Sequence, residues 1–134
     1  MLLTTNQQIN KKKNLKKKNP VLGTQPQIKG VVVKLRITTP RKPNSARRPV
    51  AKVLLSNKKQ RVAHIPGRGH SLRKHSEVLI SGVGARDLPG VHFSCVRGKY
   101  DFSPLFGKTR RRSIYGVKRP DVLKKKLRRR FRVS

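Results

Sequence analysis

The sequence predicts an all-β fold, a small five-stranded barrel flanked by two basic extensions. Three observations carry this. Apolar residues between 28 and 100 recur with a period of two, and no window there has a 3.6-residue period. Gly, Pro and Asn clusters cut the pattern into five short runs. Outside that zone the chain is dominated by lysine and arginine.

The elements follow in order. Residues 1–27, with Lys11–Lys13 and Lys16–Lys18, read as a long basic N-terminal arm, with at most a short helical turn around Leu2, Leu3 and Ile9. In the first strand Val31, Val33, Leu35 and Ile37 point one way and Val32, Lys34, Arg36 and Thr38 the other. Ala51, Val53 and Leu55 repeat the alternation before a turn at Ser56–Lys59. Val62–Ile65 is ended by Pro66-Gly67-Arg68-Gly69, a further strand spans 77–82, and Val91, Phe93 and Cys95 alternate with His92 and Ser94. Five strands in residues 28–100 match an OB-type barrel, a frequent nucleic-acid scaffold. Residues 101–134 form a basic RNA-binding tail. Leu123, Leu127 and Phe131 recur every four residues there, and Asp121 can cap, so a short helix is expected near 121–132.

Charge narrows the function. The chain of 134 residues has 36 Lys+Arg against 4 Asp+Glu, a formal net charge of +32. A globule so charged repels itself and calls for a polyanion, foremost nucleic acid. Cys95 is the single cysteine, so no internal disulfide forms and a reducing compartment fits. No apolar run approaches the roughly 20 residues of a membrane span, so no membrane partner is expected. Glu77, Asp87, Asp101 and Asp121 are scattered, which leaves no acid–base pair for an enzyme. His64, His70, His75 and Cys95 match no short metal motif, and Gly82-Val83-Gly84 is not followed by a helix pattern, so neither a metal nor a cofactor is expected. Barrels that grip loose bases present aromatic platforms on their strands. Aromatics make up only 4% here and Trp is absent. The composition favours structured RNA held by its backbone.

One stretch departs from the general crowding of cations. In TTPRKPNSARRP (38–49), a neutral Pro43-Asn44-Ser45-Ala46 sits between Arg41-Lys42 and Arg47-Arg48. A short amide or hydroxyl with directional bonds responds to the geometry of an A-form minor groove, which a lysine would not. The same residues also make good β-turn chemistry, and both readings stand at this level.

The stretches TTPRKPNSARRPVAKVLLSN, AHIPGRGHSLRKHSEVLISG, ARDLPGVHFSCVRGKYD and YGVKRP resemble, in matching order over roughly 25–120, the universal family of small-subunit ribosomal protein twelve. The resemblance implies an OB barrel that binds small-subunit ribosomal RNA and supports codon–anticodon decoding and accuracy at the aminoacyl site. It places Arg41, Lys42, Pro43, Asn44 and Ser45 in the decoding loop. Arg86, Asp87, Leu88, Pro89 and Gly90 fall in a second loop facing RNA and tRNA, and His75 on the side of the elongation factor that delivers tRNA. Implied partners are ribosomal RNA, the mRNA–tRNA duplex, neighbouring small-subunit proteins and that factor. Arg41 and Arg86 stand where the family usually has lysine, and Arg68 and Lys74 where it has acids. This added charge and the Lys/Asn-rich arm point to a mitochondrial ribosome in the matrix. With no presequence in evidence, encoding inside the organelle is expected; a plastid or a bacterial cytoplasm is the alternative. The rival function is a free-standing RNA-binding or annealing OB protein.

Overall fold

The computed structural model describes residues 4–10 and 20–120. The alternating runs become β1 (Gln27–Thr38), β2 (Arg48–Leu55), β3 (Gln60–His64), β4 (Glu77–Ser81) and β5 (Phe93–Cys95). They close into a barrel in the order β1-β2-β3-β5-β4. Neighbours pair antiparallel apart from β3 and β5, which run parallel through Ala63↔Phe93 and His64↔Ser94. A short helix, α1 (Thr5–Asn10), contains Ile9, and a 3-10 turn at Arg112–Tyr115, unanticipated from sequence, follows the barrel. The helix expected near 121–132, with Leu123, Leu127 and Phe131, lies outside the described residues, as do Leu2, Leu3 and the lysine runs of the arm.

The expected phase of β1 is corrected. Ile28, Gly30 and Val32 face the core, whereas Val31 and Val33 are half-buried and Ile37 is 67% exposed. The pairing to β2 steps from Val32↔Val53 to Lys34↔Lys52, a bulge at Val33. One inserted residue reverses the two-residue phase, so Leu35 regains the core side beyond it. Gly30 permits a close approach of the two strands, because a Cβ there would lie 2.6 Å from Val53 Cγ1 and 2.8 Å from the Leu54 carbonyl.

The main core joins Val32, Ala51, Val53, Leu55, Ala63, Ile65, Val78 and Ile80 with Phe93 and Cys95. Val21, Leu22 and Phe102 enter it too, although the sequence reading assigns them to arm and tail. Asn57 Nδ2 donates to the Val21 carbonyl at 2.7 Å and Lys59 Nζ to that of Pro20 at 3.1 Å, which fastens this segment to the β2–β3 turn. Arg97 is buried at 4% exposure without a carboxylate. Its guanidinium donates to the carbonyls of Pro66 at 2.6 Å, Ser103 at 3.2 Å and Gly69, and lies over the Phe102 ring at 4.4 Å. Burial pulls its pKa below the usual arginine range, with the nearby Tyr115 opposing.

Candidate nucleic-acid interface

Two loops meet at one end of the barrel. The first joins β1 to β2, and residues 41–47 are all exposed. Asn44 N–H donates to the Arg41 carbonyl at 2.9 Å across a cis Lys42–Pro43 bond, a turn of type VI. That turn carries Arg41, Lys42, Pro43, Asn44 and Ser45 outward on a defined backbone. The β-turn reading of the sequence therefore holds, and a turn is also what presents the amide and hydroxyl.

The second loop bridges β4 and β5 and folds over the outer face of β2 and β3. Leu88 and Val91, at 4% and 5% exposure, pack on Val50, with Val62 and Ala85 beside them, as a small cluster separate from the barrel core. Gly84 lets the loop turn so tightly, since a Cβ there would press on the Val91 carbonyl and stand 2.7 Å from His92 Cα. The loops are tied twice through Asp87: its carbonyl accepts the Arg41 N–H at 3.0 Å, and its Oδ2 lies 2.6 Å from Arg48 Nη2. A pair with its acid only 18% exposed contributes about 1 kcal/mol. Arg41, Arg86, Pro89, Gly90 and His92 line a cleft of about 470 Å³ between the loops.

The five second-loop residues thus divide. Arg86, Pro89 and Gly90 are exposed, Asp87 is half-buried and spent on Arg48, and Leu88 is buried. The resemblance turns this loop as a whole toward RNA; within it Leu88 faces inward and holds the loop down from below. His75 does not join the group. It is exposed, at φ 70°, and its N–H donates to the Val32 carbonyl at 2.8 Å, in mid-β1. Val32 is six residues short of Thr38, about 20 Å of strand from the loops.

Two cations that matter escaped the sequence reading. Arg48 looks like its neighbour Arg47, and only its position as the first residue of β2 aims it at Asp87. Arg97 carries no local signal among 36 basic residues. On the outer barrel face Lys34 lies directly opposite Lys52, a like-charge pair that is unfavourable until an anion meets it. His64, half-buried beside Arg48 and Asp87, has its pKa held below 6.5 by burial, with the Pro49 backbone opposing and the Arg48 charge adding. Among the described residues no group of three or more His, Cys, Asp or Glu could hold a metal ion, and no helix is long and apolar enough to cross a membrane.

A closed five-stranded barrel with cationic loops paired at one end defines a basic OB-type barrel protein. The chain belongs to the ribosomal protein S12/S23 family, whose model matches residues 15–131. It is 57% identical over 134 aligned positions to the small ribosomal subunit protein uS12m of Paramecium tetraurelia, covering 98% of this chain and 96% of that one. Against the protein of the same name from Bigelowiella natans it is 53% identical over 112 positions, covering 84% and 86%. The family is a structural, non-enzymatic part of the ribosome.

Proposed function

We propose that the paired loops lie against small-subunit ribosomal RNA and the codon–anticodon duplex at the aminoacyl site, where they support accurate decoding. The chain is a structural protein of the small ribosomal subunit of mitochondria, in keeping with its named relatives. Ribosomal RNA and neighbouring subunit proteins are its partners on that account. The observation that carries the finer reading is the double tie of Asp87 to Arg41 and Arg48. It holds a rigid cationic rim on either side of the exposed Asn44 and Ser45. Arginines neutralise phosphates without discriminating sequence, while the amide and hydroxyl test minor-groove shape. His75, on the barrel's flank, is the residue proposed to face the factor that delivers tRNA.

Asn44→Ala and Ser45→Ala each delete one directional bond, worth about 0.5–1.5 kcal/mol. Mitochondrial ribosomes carrying either variant should assemble normally yet lose discrimination between matched and near-matched codons by about two- to tenfold. Unchanged discrimination in fully assembled subunits would reject the decoding role.

A further inference from the structure

Phe106 is 83% exposed, more than any other large apolar residue among those described. We infer that Phe106, flanked by Arg68 and Lys108, is a stacking site for a single unpaired nucleotide of RNA, separate from the two decoding loops; this rests on the RNA-binding reading above. The three side chains line one cavity of about 320 Å³ together with Leu105 and Gly107. An aromatic face beside two cations suits a base with its flanking phosphates.

The segment that carries Phe106 is tied back to the following turn. Leu105 N–H donates to the Tyr115 carbonyl at 3.0 Å, and Gly107, at φ 78°, turns the chain immediately after Phe106. Lys108 Nζ is held 5.1 Å from the centre of the Tyr115 ring. Both segments that build the cavity also answer to the same buried group. Arg97 holds the Pro66 and Gly69 carbonyls on the side of Arg68 and the Ser103 carbonyl on the side of Phe106. A neighbouring protein's apolar side chain would cover Phe106 but would desolvate Arg68 and Lys108 with no anion to meet them, a costly arrangement. RNA supplies ring and anion together. A base inside a duplex is already stacked on both faces, so the ligand is a nucleotide bulged out of a helix.

The test uses the full-length chain and two RNA hairpins with the same stem and the same compact tetraloop, differing only in a single bulged 2-aminopurine inserted into one stem. Binding is measured at raised salt, where phosphate attraction contributes least. The unaltered protein should prefer the bulged hairpin by about 5- to 150-fold and change the 2-aminopurine fluorescence. Phe106→Trp should keep the preference. Phe106→Ala and Phe106→Leu should abolish it while leaving affinity for the paired hairpin unchanged. Equal binding of both hairpins by the unaltered protein overturns the inference and leaves the RNA-binding reading intact. Retention of the preference in Phe106→Leu overturns it, because the aromatic ring is then not what holds the nucleotide. Failure to bind either hairpin even at low salt overturns both.

Discussion

Asp87 spends its backbone carbonyl on Arg41 and its carboxylate on Arg48, so a single acid sets the spacing of two loops. Asp87→Asn keeps the shape and the carbonyl bond but removes the charge, leaving Arg48 with its buried Nε and no counter-ion. We expect a loss of roughly 1–2 kcal/mol in urea unfolding, between the values for exposed and buried pairs. An unchanged midpoint would show that the backbone bond alone holds the loops. His64 makes a second residue-scale prediction. Because burial holds its pKa below 6.5, the unfolded chain binds that proton more readily than the fold does. Its contribution is therefore fully present above pH 6.5 and is lost as pH falls through 6.5 toward the lower folded value. Thermal melting across that window should show the slope, and His64→Gln should flatten it. A slope that persists unaltered in the variant belongs to another group.

At the scale of elements, the second loop depends on a close approach that only glycine allows. Gly84→Ala would drive a Cβ into the backbone at Val91 and His92, which cannot yield as a flexible side chain does. The loop must lift from Val50, with a loss of about 1–3 kcal/mol and faster proteolysis between 84 and 91. An alanine variant as stable and protease-resistant as the parent would contradict the packing described. This level also divides what could be read from sequence from what could not. The runs around Ala51–Leu55, Val62–Ile65 and Val91–Cys95 were legible because no bulge shifts their phase. β1 was misphased because a bulge leaves no trace in composition: Val31, Val32 and Val33 are the same residue type. The parallel β3–β5 closure was hidden for a related reason, since pairing direction is decided by chain path and not by local pattern. At the site, resemblance located both loops, yet the inward turn of Leu88 and the choice of Arg48 over Arg47 needed the barrel to be built.

Over the whole molecule, charge exceeds anything the fold itself uses. Among the described residues two ion pairs form, Lys29–Glu77 at 2.8 Å and Arg48–Asp87 at 2.6 Å, against a net charge of +32. The surplus is available for phosphate, and binding then releases counter-ions. If six to ten phosphates are met, affinity of the isolated protein for structured RNA should fall about 10³–10⁵-fold between 50 and 200 mM salt. Filter binding across that range checks this, and a shallow slope would mean that the basic surface is not the contact. The closure of the barrel has a further consequence, in time. β1 meets β4 through Gln27↔Ser81, 54 residues apart, so no closed barrel exists until late in synthesis. Arg41 is made 46 residues before the Asp87 that fixes it, a delay of about 2–9 seconds at ordinary rates of chain growth. During that interval β1 and β2 can pair as a hairpin, but the first loop has no second loop to rest on. A nascent chain therefore shows RNA its cations some seconds before it can show the geometry that would orient them.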